Sequence, residues 1–373
     1  MRNLRRIVVG LCASGVWLFP ALAEEELQKL IDRLLTRPTI QAEARFTARL
    51  LVPPGHVYDP LWFVPRDGVM WVNDDGKEEG AKGSRILSIS RDGKITALAD
   101  IGKLLPVVGF DVAPQSFGAF GGQIFTVAQA KVSLEGLLAH HIIQRVEPQQ
   151  DYTAHVFCTL PSHGQVNQGI SSFGADARFG PEGSPFAGKL FAVATGNNTV
   201  YQVTPDGQCL PFVSFDAERF GAPAGLAFSA DGQILLVTVA RSALLGASQE
   251  PAGMIARVRP DGTIEDEPLV RGLVRPMGMD LAPQEFGAYA GQVFVTDAGS
   301  FEIPVPMTQA LAADGKVYRV TPEGKLQLVA SGFVNPMGVR FLGTTLWVND
   351  INGDFIAGKR ELPDGFIVEL QIQ

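Results

Sequence analysis

Residues 113–125 read APQSFGAFGGQIF and return at 282–294 as APQEFGAYAGQVF, with nine of 13 positions identical. A weaker echo, FGPEGSPFAGKLF, covers residues 179–191. Segments that repeat at long separation mark an architecture built from copies of one supersecondary unit. A second piece recurs around them: RILSISRDGKI from Arg85, TVYQVTPDGQC from Thr199, MIARVRPDGTI from Met254 and KVYRVTPEGKL from Lys316. Each is an alternating strand followed by a tight turn. Proline presets φ where it is present, the acid bonds the local backbone, and glycine takes the positive-φ position, so the turn closes a hairpin.

Placing the element before each first strand in one frame gives six equivalent positions: Leu61, Gly109, Gly169, Gly225, Gly278 and Gly338. Their spacings of 48, 60, 56, 53 and 60 residues each hold four short strands with loops. Six such units predict an all-β chain folded as a six-bladed β-propeller over residues 43–373. Phe46 to Val52 alternates apolar and polar residues ahead of the first unit, whereas the sixth unit ends at Gln373 after about three strands. The early segment is therefore expected to supply the outer strand of the last blade, which removes a sheet edge. A pair of β-sandwiches is the competing fold, and six near-equal repeats speak against it.

Composition agrees. The 373 residues are 46% hydrophobic and 19% charged, which excludes a disordered chain, and the 41 glycines follow no collagen period. A net charge of −8 gives no electrostatic footprint for nucleic acid. Residues 1–23 read as a signal peptide. Arg2, Arg5 and Arg6 precede an apolar run from Ile7 to Phe19, and Ala21-Leu22-Ala23 is a small-x-small cleavage site. The run is short for a membrane span and ends at Pro20, and no later stretch is long and apolar enough to cross a bilayer. Residues 24–42 are expected to form a helix and linker. Leu27, Leu30, Ile31, Leu34 and Leu35 repeat with helical spacing between Glu24 and Thr36, and Pro38 follows. The mature chain is expected in the periplasm or outside the cell. That compartment is oxidising, so Cys158 and Cys209, with no CxxC or paired His beside them, fit a disulfide better than a metal site.

The strand ends WVND and FVTD, the RVxPDG hairpins and SGFVNPMGVRF from Ser331 resemble the propellers of the NHL, SMP-30/gluconolactonase and sugar/sorbosone-dehydrogenase groups. The resemblance spans most of the mature chain, and its motifs are ones that build blades. They imply a fold and transfer no function by themselves. SMP-30-like lactonases hold their metal with acidic or amide side chains just before the first-strand glycine. The residues matching those positions are Val108, Gln168, Ala224, Met277 and Met337, of which only Gln168 carries a ligand suited to a hard cation. Met277 and Met337 are expected to plug the channel. Quinone-dependent sugar dehydrogenases imply a basic histidine with Arg or Lys around the cofactor. His56 and His163 precede first strands, and Arg241 and Arg275 lie on later units.

Within a unit the second-to-third-strand connection needs only two to five residues when it is merely structural. Five of six are long: Asp74 to Gly83, Gln129 to His141, Arg241 to Gly253, Ala298 to Gly315 and Ile351 to Gly365. Asn197 marks the short exception. Insertions concentrated on one face of a repeat array mark the binding face. Asn73, Gln129, Asn197, Arg241 and Asn349 are its expected ligand-facing residues, with His163 and Arg241 as candidates for catalysis. Asp74, Asp297 and Asp350 end second strands in neighbouring units and form a candidate Ca²⁺ site, because Ca²⁺ takes six to eight oxygen ligands. Asp350-Ile351-Asn352-Gly353-Asp354 also resembles the opening of a calcium loop. The alternative role for each acid is a bond to its own loop's backbone. Adjacent His140 and His141 point to different sides and are a weak metal signal.

Two classes of function follow. The first is a protein that binds a small polar molecule, sugar- or lactone-like, as a metal-assisted hydrolase or a quinone-dependent oxidoreductase. The second is a non-catalytic propeller that binds a protein, glycan or cell-envelope partner.

Overall fold

The computed structural model describes residues 7–12, 15–20, 28–29, 32, 35–75, 84–101, 107–128, 141–160, 176–216, 219–240, 253–299, 313–352 and 363–373. Strands β1 (Ile7–Cys12) and β2 (Gly15–Pro20) pair with each other and join none of the other sheets. Of the helix expected after the cleavage site, the described residues Gln28, Lys29 and Asp32 are helical. Two further strands, β3 (Gln41–Ala42) and β4 (Phe46–Val57), precede the blades.

Six antiparallel sheets follow in order. Blade one is β5 (Asp59–Arg66), β6 (Val69–Asp75), β7 (Arg85–Ile89) and β8 (Ile95–Asp100). Blade two is β9 (Val107–Val112), β10 (Ile124–Ala128), β11 (Ile142–Glu147) and β12 (Thr153–Thr159). Blade three is β13 (Ala177–Phe179), β14 (Leu190–Ala194), β15 (Thr199–Val203) and β16 (Cys209–Ser214). Blade four is β17 (Ala222–Phe228), β18 (Leu235–Ala240), β19 (Gly253–Val258) and β20 (Val270–Leu273). Blade five is β21 (Pro276–Leu281), β22 (Val293–Asp297), β23 (Gly315–Val320) and β24 (Leu326–Phe333), with β3 added at its edge. Blade six is β25 (Pro336–Leu342), β26 (Thr345–Asp350) and β27 (Gly365–Ile372), closed by β4.

The ring thus closes as expected, by pairing the start of the propeller with its end. Ile372 faces Phe46, Leu370 faces Ala48 and Val368 faces Leu50. The first strand of each blade lies beside that of the next, and β25 returns to β5. Second strands are apolar on both faces: every residue of β10, β14, β18, β22 and β26 is buried. A radial sheet with two apolar faces must be covered on both sides, which only neighbouring blades can do.

The repeated APQxFGA segment makes that cover. It forms a short 3-10 turn after the first strand of blades two and five, and buries Phe117 and Phe286. Phe117 meets Phe125 of its own second strand edge-on, centroids 5.2 Å apart, and Phe179 of the next blade at 4.8 Å. Phe286 meets Phe294 at 5.5 Å and Phe341 of the next blade at 4.7 Å. The weaker echo in blade three does the same, Phe186 meeting Phe191 at 5.4 Å and Phe228 at 5.2 Å. Three loops with one aromatic knob therefore staple three seams, through pairs worth about 0.5–1.5 kcal/mol beyond their buried area. A tighter latch lies at the opposite end. The third strands of blades four, five and six begin at Gly253, Gly315 and Gly365, each against a proline of the next blade. A Cβ added at Gly315 would fall 2.6 Å from Pro336 Cδ.

The Cys158–Cys209 disulfide forms, with Cα atoms 6.3 Å apart, and joins the outer strands of blades two and three. Phe286→Ala should cost about 3–5 kcal/mol in chemical denaturation, the usual range for a buried phenylalanine. An exposed Ile372→Ala should cost far less.

Candidate functional site

Second strands end, and third strands begin, at one end of the disc, so the five long connections all leave from that end. Gln129, His163, Gln168 and Arg241 lie outside the described residues. Strand pairing fixes which first-strand residues are equivalent at the channel. The pairs Phe63–Val72, Phe110–Thr126, Ala177–Ala192, Leu226–Val237, Met279–Val295 and Val339–Val348 occupy one level. The residue before each first member is Trp62, Gly109, Asp176, Gly225, Gly278 and Gly338. Two positions in the sequence frame are thereby corrected: Trp62, not Leu61, belongs to blade one, and Asp176, not Gly169, to blade three. The blade three error came from seeking a glycine where that blade carries Asp176.

One residue nearer the long connections, Leu61, Val108, Ala224, Met277 and Met337 stand at one level of their first strands, a five-residue collar whose blade three counterpart lies outside the described residues. Val108, Ala224 and Met337 are buried and the other two partly so. None has a side-chain oxygen. Trp62 is fully buried and belongs to the same packed cluster as Val108, Phe191 and Val237. About 10 Å below the collar, at 3.3 Å per strand residue, charged side chains from four blades interlock. Arg178 donates from Nη1 to Asp280 Oδ1 at 3.1 Å and from Nε to Asp176 Oδ2 at 3.3 Å. Arg340 Nη2 lies 3.5 Å from Asp176 Oδ1, and its Nη1 donates to the Met279 carbonyl at 3.0 Å. Asp176 also accepts from Leu226 N at 3.0 Å, and Asp111 accepts from Phe179 N at 2.8 Å. Burial raises all three carboxyls above their ordinary value, Asp111 to about 6, while the guanidiniums oppose the rise.

The three acids at second-strand ends serve the backbone. Asp350 accepts from Val334 N at 2.7 Å, Asn335 N at 2.9 Å and Asn352 N at 2.7 Å. Asp297 accepts from Val274 N at 2.9 Å, Arg275 N at 2.7 Å and Gly299 N at 3.2 Å. Asp74 accepts from Tyr58 N at 2.8 Å and pairs with Arg85, Nη2 to Oδ2 at 2.6 Å. Each holds the turn that starts its own blade, whose first strand carries a proline opposite the acid: Pro60, Pro276 and Pro336. Buried Arg275 donates from Nη2 to Asn335 Oδ1 at 2.9 Å and the Ala298 carbonyl at 3.0 Å, bridging blades five and six. Burial lowers its pKa to about 10, against the pull of Asp297, Asp314 and Asp350. Arg275 thus lies within electrostatic reach of Asp297 and Asp350. Among the described residues, no group of three or more His, Cys, Asp or Glu side chains is placed to hold a metal ion.

The expected ligand-facing amides are buried as well. Asn73 Nδ2 donates to the Val107 and Val108 carbonyls of blade two at 2.6 and 3.0 Å. Asn349 Oδ1 accepts from Gly338 N at 2.5 Å. Thr238 and Thr296 play the same part, each donating at 2.7 Å to the next blade, to the carbonyls of Met277 and Met337. Asn197 Nδ2 donates to the Tyr201 hydroxyl at 3.3 Å, and His56 is exposed on β4. A groove of 490 Å³ lies at the rim between blades three and four, lined by Phe212, Arg219, Phe220 and Glu265 and by none of the collar residues.

No family model matches the chain, and no curated protein matches it. Among solved structures, the PQQ-bound aldose sugar dehydrogenase of Streptomyces coelicolor is similar at 12% identity, covering 89% of this chain and 100% of its own with a TM-score of 0.57. A gluconolactonase from Xanthomonas campestris is similar at 14% identity over 91% of this chain and 95% of its own, TM-score 0.55. A streptogramin B lyase matches at 14% identity over 89% and 100%, TM-score 0.50. The chain shares the six-bladed propeller of gluconolactonase-like and sugar-dehydrogenase structures.

Asp74 and Asp350 are raised to about 6 by burial, against backbone and arginine bonds that favour the charged form. With Asp111 they leave the folded protein holding more protons than the unfolded chain between the ordinary value of 3.8 and about 6. Stability should therefore fall as pH rises through that window, so Tm is expected to be higher at the acidic end of the range than at neutral pH. Asp350→Asn should flatten part of that slope and cost about 1–3 kcal/mol at neutral pH, because its amide NH₂ cannot accept all three N–H groups.

Proposed function

We propose that the protein is exported and binds a small sugar- or lactone-like molecule in a blind cup at the loop-bearing end. The reading is carried by one observation. Leu61, Val108, Ala224, Met277 and Met337 stand at one level of the first strands, at the end from which the five long connections leave, and beyond them lie buried Trp62 and the Arg178–Asp280 network. Concave sites of mostly apolar lining with a few polar groups are the common form of small-molecule pockets. The collar takes the C–H face of a ring, and polar groups from the connections take its hydroxyl or carbonyl oxygens. Without oxygen donors the collar does not suit a hard cation, so this reading places no lactonase-type metal there.

Export is supported by the N-terminal pattern of arginines, apolar run and Ala21-Leu22-Ala23, and by the Cys158–Cys209 disulfide. All six blades are built from residues 41–372, so loss of residues 1–23 leaves them complete. Mass spectrometry of the exported protein should find Glu24 at its N-terminus; retention of Met1 would contradict export by this route.

Ligand binding is tested by thermal shift of the full chain with a panel of aldoses and aldonolactones in EDTA. A ligand at 100 times its Kd should add about 2.7 kcal/mol of stability, and Met337→Glu should abolish the gain. A gain that requires a divalent cation would restore the metal-assisted reading. No gain with any small molecule would leave the partner-binding one.

A further inference from the structure

The seam between blades one and two is one of the three that the aromatic loops do not staple. The first-to-second-strand turn of blade one is only Asp67–Gly68, so no aromatic knob reaches across it. Its apolar packing comes from Val64, Ile86, Phe110, Ile124 and Val146, with Trp71 partly buried against them. Strand side chains alternate between faces, so residues two positions away share this seam. Asn73 goes with Trp71, Thr126 with Ile124 and Gln144 with Val146. Thr126 faces Phe110 across one ladder and Gln144 across the other, which confirms the shared face.

All three of these polar residues are fully buried. Asn73 Oδ1, Thr126 Oγ1 and both amide atoms of Gln144 have no hydrogen-bond partner among the described residues. Burying one such group dry costs roughly 1–3 kcal/mol. Four at one seam would be a heavy burden on a fold whose net stability is about 5–15 kcal/mol.

We infer that this seam is a wet one, in which an enclosed cluster of ordered water bonds Asn73, Thr126 and Gln144. The mixture of groups selects the occupant. The Gln144 Nε2 only donates, the Asn73 and Gln144 oxygens only accept, and the hydroxyl does both. A cation would satisfy the oxygens and repel the N–H groups, and an anion would do the reverse. Water does both, at about three bonds per buried molecule, and native proteins hold about one such water per 27 residues.

The test uses the full chain. A crystal structure resolving solvent should show peaks at hydrogen-bond distance from Gln144 and Thr126 inside the seam. A seam free of density, with Gln144 bonded directly to Asn73 or Thr126, would overturn the inference. In solution, Gln144→Met keeps the side-chain volume and removes both amide atoms. If water is bound, the substitution strands its other partners and Tm falls by several degrees. A Tm that stays level or rises would mean that the amide was dry, and would also overturn it.

Discussion

Two-sided burial is the constraint on which the molecule depends. Its second strands, exemplified by Leu235–Ala240 and Thr345–Asp350, present no face to solvent. A blade with two apolar faces has no stable existence alone, and a row of such blades would end in two exposed faces. Only a closed ring removes both. The strand Phe46–Val57 closes it by pairing with Gly365–Ile372, so the last blade is assembled from both ends of the propeller segment. Apart from β3 at the edge of blade five, covalent order and spatial order coincide elsewhere, and the pairing of β4 with β27 is what makes the ring cooperative.

The polar chemistry near the axis is subordinate to this demand. Asp74, Asp297 and Asp350 hold the turns that start blades one, five and six, and Asn73, Thr238 and Thr296 fasten one blade's strand to the next. Arg178 and Arg340 reach across the axis, the latter from the blade opposite Asp176. Groups whose chemistry resembles that of a site are thus occupied in joining sheets.

The blade number, the closing strand, the disulfide and the end bearing the long connections were legible in the residues. Those signals are periodic or local: a repeated APQxFGA turn, hairpins ending in Pro-Asp-Gly, alternation from Phe46 to Val52, and two cysteines. For the three acids two roles stood open, a bond to backbone and a Ca²⁺ site, because an aspartate that caps a turn and one that binds Ca²⁺ are the same letter at the same strand end. A discriminating signal was present. In each of the three units that end a second strand in Asp, a proline of the first strand stands opposite the acid, at Pro60, Pro276 and Pro336, and this pairing ties the acid to the turn. Asp176 escaped notice because it stands where other blades carry glycine, and its partners Arg178 and Arg340 converge on it only after the ring has closed.

Amide hydrogen exchange across the closing strand probes ring closure most directly. If blade six is completed from both ends, the bonded amides of Thr47 to Leu50 should exchange as slowly as those of β26, through global unfolding alone. Fast exchange there, with β26 still protected, would show a strand that frays independently and a ring held by something else.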